Sequence, residues 1–101
     1  MPGNNKYGSC VVLTDANGIC IDNSRCLILS ANLGSALVGS LTITGVANLN
    51  GSLAAWVIPA TSVGVFTPPG DSGGIAGLPV TFVYSNPGAD AGKVTLAYIP
   101  R

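Results

Sequence analysis

Ser72 is the residue whose surroundings most suggest a nucleophile, because it stands among glycines in the stretch PPGDSGGIAG, Pro68–Gly77. A serine hydroxyl is a weak nucleophile at neutral pH and needs a base within hydrogen-bond reach. The sequence contains no histidine and no glutamate, so the remaining bases are aspartates, lysines and the terminal amine. None of them stands in a recognisable motif with Ser72, such as Ser-x-x-Lys. The composition therefore argues against serine catalysis.

The pentapeptide GDSGG around Ser72 also surrounds the nucleophile of chymotrypsin-like serine proteases. In those enzymes a histidine, oriented by a buried aspartate, takes the serine proton, and the triad is recognised by these roles rather than by one short string. Prolines followed by glycines around a short acidic residue instead predict a chain reversal, so Gly70–Gly77 is expected to be a loop between strands. We predict that the protein is not an enzyme.

Charged residues are unusually scarce in this chain. They make up 8% of its 101 residues, against about 25% in an ordinary soluble domain, and the formal net charge is zero. The four cations are scattered and form no basic stripe, so neither nucleic-acid binding nor polybasic membrane contact is expected. The initial MPGNNKYGS lacks the charged and apolar segments of a secretory signal, which indicates synthesis in the cytoplasm.

Three cysteines, Cys10, Cys20 and Cys26, are the other groups with distinctive chemistry. Without histidine or a Cys-x-x-Cys pair they form no recognisable zinc site, and DANGICID, Asp15–Asp22, lacks the ligand spacing of a calcium loop. We predict that the cysteines are buried or half-buried strand residues, with one disulfide as the alternative. No cofactor and no metal are predicted.

The chain reads as short strands separated by turns. Apolar and polar residues alternate with a period of two in segments such as SLTITG and KVTLAYIP. Seven or eight such segments at roughly ten-residue spacing predict one all-β domain over residues 10–101, an antiparallel β-sandwich or small barrel. Asn17-Gly18 predicts a hairpin turn. Only residues 30–39 could form a helical turn or two, and residues 1–9 are expected to form a flexible arm.

The segments GSLTITGVANLNGS and GKVTLAYIPR belong to a charge-poor chain that is rich in Gly, Ser, Thr and Asn. The chain resembles the small β-rich structural proteins of tailed-phage virions, in particular head decoration (cement) proteins. The resemblance covers most of the chain and lies in its composition and its strand-like segments. It includes no shared site motif. It implies a subunit assembled in the host cytoplasm and located in the virion. It also implies many copies bound to the major capsid protein or other virion subunits, and a homo-oligomeric state. Phage tail subunits are near neighbours of this group.

The composition supports an assembly role on separate grounds, because the charges that normally blunt strand edges and apolar surface are scarce. The alternative is a β-sandwich binding module that recognises a carbohydrate or a protein partner through Trp56 or the Pro68–Gly77 loop. The candidate interface consists of the arm, one aromatic residue and the start of the loop: Asn4, Asn5, Lys6, Tyr7, Trp56, Pro68, Pro69, Gly70, Asp71 and Ser72.

Ser72 is predicted to be chemically inert. A fluorophosphonate probe, which labels activated serines, should leave Ser72 unmodified because no partnered base is available to activate it. Mass spectrometry of the intact protein after labelling checks this expectation. Saturable labelling that disappears in the Ser72→Ala variant would contradict it.

Overall fold

The computed structural model of the chain describes residues 9–21, 26–47, 53–68 and 79–100. These residues are mostly in strands, and the predicted all-β fold of seven to eight strands is confirmed; of the two predicted architectures, sandwich or small barrel, the structure has the sandwich. None of the helical structure within these ranges is long and apolar enough to cross a membrane. The elements in chain order are β1 (Ser9–Val12), β2 (Asn17–Ile21), β3 (Cys26–Leu33), β4 (Leu41–Ala47), β5 (Leu53–Ile58), β6 (Gly64–Phe66), β7 (Val80–Tyr84), α1 (Pro87–Asp90) and β8 (Val94–Pro100).

Two four-stranded antiparallel sheets pack against each other. Sheet A has the strand order β1-β8-β3-β6, and sheet B has the order β2-β7-β4-β5. The pairing is nested, because β1 pairs with β8, β2 with β7, β3 with β6 and β4 with β5. This is the pairing of one long hairpin whose two arms are rolled up together, which is the eight-stranded jelly roll. Every connection except that between β4 and β5 therefore crosses from one sheet to the other.

The core between the sheets is filled by alternate residues of the strands. Leu41 and Ile43 of β4 are buried and Thr42 and Thr44 face outward, as the period-two pattern predicts. A fully buried Leu or Ile side chain contributes about 1.5–3 kcal/mol, so these apolar rows hold the sheets together. The same alternation buries Trp56 and Ile58 in β5, Val80, Phe82 and Tyr84 in β7, and Val94 and Leu96 in β8.

The hairpin predicted at Asn17-Gly18 is wrong. Both residues lie inside β2, where they pair with Val83 and Phe82 of β7, and β1 belongs to the other sheet. The chain turns at residues 13–16 instead, as it crosses between the sheets. A Cβ on Gly18 would touch the ring of Phe82 at 3.4 Å, so the glycine lets this strand and ring pack closely. Packing between distant strands thus overrides the local turn preference.

The helical turn considered for residues 30–39 does not form. Strand β3 continues to Leu33 because Ala31 and Leu33 are buried on the core side, and a bent connection over 34–40 follows. The one helical turn of the described residues is α1, inside the segment SNPGADAG, whose Asn, Pro and Gly are typical of a turn. Pro87 favours this turn, because proline presets φ at the first position of a helix.

Gly45 sits at a β-bulge in β4, where the register with β5 shifts between Ile43 and Val46. Its φ is +91°, a left-handed conformation that glycine adopts at little cost. A Cβ at this position would lie 2.3 Å from the carbonyl oxygen of Pro79. The bulge therefore requires glycine for two independent reasons.

The Gly45→Ala variant should lower the free energy of unfolding by about 2–4 kcal/mol, because it adds backbone strain and a steric collision. Urea denaturation followed by Trp56 fluorescence measures the change. Gly34→Ala is the matched control, since a Cβ there meets no atom within 4 Å. The control should change the free energy by less than about 0.5 kcal/mol. Equal stability of the Gly45→Ala variant and the parent would contradict this account of the bulge.

Candidate functional site

Four connections meet at one end of the sandwich, which we call the Asp90 end: 13–16, 34–40, 59–63 and 85–93. Backbone hydrogen bonds join these connections to one another. The N–H of Leu37 donates to the carbonyl of Ser62 at 3.0 Å, that of Ser85 to Ser40 at 2.9 Å, and that of Gly92 to Leu13 at 2.8 Å. The four connections therefore form one hydrogen-bonded layer that covers this end of the core.

Asp90 is completely buried in this layer. One carboxylate oxygen accepts a hydrogen bond from the N–H of Val38 at 2.8 Å, and the other accepts from the N–H of Gly39 at 2.7 Å. The ammonium group of Lys93 lies 3.1 Å from the first oxygen and also donates to the carbonyl of Ala36 at 2.8 Å. The carboxylate thus ties the β3–β4 connection to the helical turn that precedes β8.

The charge state of Asp90 follows from these contacts. Burial alone raises the pKa of this carboxyl, because it removes water from the charged form. The N–H groups of Val38 and Gly39, followed by Lys93, act in the opposite direction, and the net result is a pKa below its usual value. Asp90 is therefore ionised at neutral pH. A general base must reach a proton of its substrate, and a fully buried carboxylate with both oxygens engaged is instead a structural anchor.

Tyr84 is a second inward polar group at this end. Its hydroxyl donates to the carbonyl of Leu13 at 2.9 Å, and burial raises its pKa. No group of three or more His, Cys, Asp or Glu side chains that could hold a metal ion occurs among the described residues. The hydrogen bonds of Asp90, Lys93 and Tyr84 thus hold the connections of the Asp90 end together.

The three cysteines are free thiols in three different strands. Cys26 is buried and Cys20 is half-buried, as predicted, but the prediction is wrong for Cys10, which is exposed. Cys10 falls on the outward side of edge strand β1, whose inward position is taken by Val11. The thiol of Cys20 donates to the carbonyl of Val80 at 3.0 Å, and burial raises its pKa to about 11. Cys20 is therefore scarcely ionised at neutral pH and is a poor nucleophile.

Among the residues that the structure describes, the outer face of sheet B carries no charged side chain. Thr44 and Thr81 lie in its two central strands and hydrogen-bond through their hydroxyls, while Ile19 is 58% exposed and Val83 is 52% exposed. Threonine hydroxyls and apolar groups thus share this surface. Its outward residues are Asn17, Ile19, Thr42, Thr44, Ala55, Val57, Thr81 and Val83.

The outer face of sheet A likewise has no charge within the described ranges, and it carries more apolar side chains. Val65 on β6 is 68% exposed, and Val12 and Leu29 are exposed as well. Ala97 of the central strand β8 lies between Cys10 and Ser30 in register. The outward residues of this face are Cys10, Val12, Leu27, Leu29, Ser30, Asn32, Val65, Thr95, Ala97 and Ile99.

The charged residues within the described ranges are Asp15, Asp90 and Lys93, and all three belong to the Asp90 end. The other charged positions of the sequence lie outside the residues that the structure describes. Both outer faces therefore suit a partner surface that is itself uncharged. Contact there would rest on apolar burial and neutral hydrogen bonds.

Trp56 is the one aromatic residue of the predicted interface whose position the structure describes. It is 7% exposed, belongs to the core and pairs with Ile43, so its ring is not an exposed surface for stacking. Pro68 is half-buried after β6. The other predicted interface residues lie outside the described ranges: Asn4, Asn5, Lys6, Tyr7, Pro69, Gly70, Asp71 and Ser72.

The strands that flank those residues meet at the end of the sandwich opposite the Asp90 end, which we call the Ser9 end. Strand β1 begins there at Ser9, which pairs with Tyr98 near the end of β8. Strand β6 runs toward this end as it approaches Phe66, and β7 begins there at Val80. The described attachment points of the predicted arm and of the Pro68–Gly77 loop thus lie at the same end.

Sequence reasoning missed both Asp90 and the extent of the uncharged faces. In SNPGADAG, Asp90 looks like an ordinary turn residue, and the signal available was a lysine three positions later in a chain with few charges. The alternation in SLTITG placed Thr42 and Thr44 outward, but the neighbours of β4 depend on the strand order, which alternation does not reveal.

Asp90→Asn should lower the free energy of unfolding at pH 7 by about 2–4 kcal/mol, because the amide nitrogen would face a backbone N–H and Lys93 would lose its counter-charge. Since the pKa of Asp90 is lower in the folded chain, its contribution is complete above about pH 5 and is lost as the pH falls through the folded value. Denaturation curves from pH 7 to about pH 2 should therefore converge for parent and variant.

The exposed Asp15 provides the matched control, and Asp15→Asn should leave the stability at pH 7 within about 0.5 kcal/mol of the parent. A constant difference between parent and Asp90→Asn across the pH range would contradict the role given to the ionised carboxylate.

Comparison with protein families, with characterised proteins and with solved structures finds no match to this chain. The jelly-roll strand order is used by viral capsid domains, lectins and cupins alike, and a fold by itself does not decide function. The function of this protein must therefore be inferred from its own residues and surfaces.

Proposed function

We propose that the protein is a non-enzymatic structural subunit of a virion, and specifically a capsid decoration (cement) protein that stabilises the shell. The observation that carries this proposal is the absence of charged side chains from both outer faces of the sandwich, within the residues that the structure describes. Such faces leave apolar contact, neutral hydrogen bonds and strand-edge pairing as the means of attachment. The partners proposed are the major capsid protein or other virion subunits.

Attachment without ion pairs is energetically sufficient. Burial of about 1,000 Å² of apolar surface yields about 25 kcal/mol gross, against an association cost of about 4–15 kcal/mol. Both faces contribute to this surface, because Ile19 and Val83 on sheet B and Val65 on sheet A are more than half exposed. A subunit with uncharged faces on two sides suits a crowded shell, in which each copy has several neighbours.

The fold and the sequence resemblance both agree with this proposal. Viral capsid domains are among the proteins built on jelly rolls. The alternative of a carbohydrate-binding module has less support, because Trp56, the residue considered for stacking, is part of the core. The chemistry of the outer faces is therefore the main support for the decoration role, and the fold and the resemblance are consistent with that role.

The virion role can be tested on virions purified from a culture in which this protein is synthesised. The protein should cosediment with particles that contain heads, in many copies per particle, and quantitative mass spectrometry of gradient fractions measures this number. Absence of the protein from particles, in a culture where it is synthesised, would contradict the virion role.

The mode of attachment has its own expected result. In about 1 M NaCl the Debye length falls to about 3 Å, so ion pairs are screened, whereas apolar burial is not weakened and the protein should stay bound. Moderate urea should release it, at concentrations below the midpoint of unfolding measured by Trp56 fluorescence. Removal of residues 1–8 should weaken attachment while the domain stays folded; Ser9, which the predicted arm included, begins strand β1 and is kept. Release by NaCl alone, with the fold intact, would contradict this mode of attachment.

A further inference from the structure

The two outer faces differ in the share of their residues that are apolar. Thr42, Thr44 and Thr81 occupy much of the central strands of sheet B, so that face offers hydroxyl groups. The central strands of sheet A present Leu27, Leu29, Ala97 and Ile99 beside Ser30, Asn32 and Thr95, with Val12 and Val65 on the flanking strands. Sheet A therefore has the face that gains more from being covered by another apolar surface.

The edges of sheet A are poorly suited to pairing with another chain. Its edge strands are β1, with 4 residues, and β6, with 3 residues. Short edge strands are one of the means by which proteins prevent edge-to-edge association. Contact through sheet A is consequently expected across its face rather than along its edge.

We propose that two copies of the protein associate through the outer faces of their A sheets. An isologous contact brings the same surface together from both copies, so any charge on it would be present twice in the interface, once from each copy. The outer face of sheet A bears no charge among its described residues, and two such faces meet without repulsion. The residues at its centre, Ala97 and Ser30, are small and allow the two sheets to approach closely.

The size of the face sets the strength of this contact. Four strands about 4.8 Å apart, with about six residues rising about 3.3 Å each, cover about 400 Å² per copy. Two copies then bury about 800 Å², which is below the ~1,200 Å² of the smallest stable interfaces. The free protein should therefore dimerise weakly and reversibly. Copies held together on a shared surface would associate more strongly, because their effective concentration is high.

This inference does not rest on the proposed virion role, because it concerns the purified protein alone. Cys10 provides a direct probe, since it is exposed in one copy and lies next to Ala97 within the proposed interface. The other two thiols react slowly, because Cys26 is buried and Cys20 has a pKa of about 11. A thiol reagent at neutral pH therefore reports mainly on Cys10.

The experiment combines sedimentation velocity with thiol labelling of the full chain, from about 10 µM to about 1 mM protein, with reductant present during sedimentation to exclude disulfide-linked species. The average mass should rise from monomer toward dimer over this range. The rate at which a small maleimide labels Cys10 should fall several-fold as dimer forms, and the fast phase should be missing in Cys10→Ser.

Charge substitutions on the two faces locate the contact. Val65→Lys and Val12→Lys each introduce two like charges into the proposed interface, one from each copy, and should raise the dissociation constant at least tenfold. Val83→Lys, at a similarly exposed position on sheet B, is the matched control and should change it less than twofold. Thermal unfolding of each variant shows that the fold is intact.

Three outcomes would overturn the proposal. The protein could remain a monomer up to about 1 mM, which would leave the face for a different partner. Dimers could persist in both Val65→Lys and Val12→Lys. Finally, Val83→Lys could dissociate the dimer while the substitutions on sheet A do not, which would place the contact on sheet B. Loss of virion attachment with dimerisation intact would bear on the proposed function only.

Discussion

The carboxylate of Asp90 joins two connections that cross between the sheets at one end of the sandwich. It accepts hydrogen bonds from Val38 and Gly39 in the β3–β4 connection, and it stands itself in the β7–β8 connection. Burial of a carboxylate costs several kcal/mol unless the lost water is replaced, and here two N–H groups and one ammonium replace it. The approach is close, since a Cβ on Gly39 would lie 2.3 Å from Oγ of Ser85. The positions of β3, β4, β7 and β8 depend on this junction.

The ion pair of Asp90 with Lys93 engages one of the few acids and one of the few bases of this chain. The whole sequence has four anions and four cations, so this pair uses a quarter of each; Asp90 is fully buried, and the side chain of Lys93 remains 23% exposed. The faces of both sheets are then neutral within the described part of the chain. Net charge keeps proteins apart in solution, and this chain has a formal net charge of zero. Association is consistent with such a surface, whereas long-range electrostatic steering is not.

The fold class could be predicted from the sequence because the alternation of apolar and polar side chains is a pattern of neighbouring residues. The contrast of Leu41 and Ile43 with Thr42 and Thr44 could be read from six consecutive letters, and it is the contrast seen in β4. Strand order cannot be predicted from such a local pattern, because nearly all paired strands of a nested topology are far apart in the chain. The turn expected at Asn17-Gly18 failed for this reason.

The same limit applied to the candidate site. Asp90 could not be recognised because its partners are backbone groups 51 and 52 residues away. Trp56 and Ile58 stand two residues apart in β5, so alternation puts them on the same side, and both are in the core, although Trp56 was predicted as a candidate contact. The exposure of Cys10 depended on β1 being an edge strand, and no local pattern reveals which strands lie at an edge.

The nested pairing also imposes an order on folding during synthesis. Only β4 and β5 are both consecutive and paired, so this hairpin can form early, with its loop-closure cost kept low by the short separation. Strand β8 comes last in this sequence and yet lies between β1 and β3, the two strands that it holds in sheet A. A nascent chain therefore leaves the edges of β1 and β3 that face β8 without hydrogen-bond partners until residues 94–100 have emerged from the ribosome. Unfinished chains of this kind are prone to aggregate, and rapid completion or chaperone binding protects them.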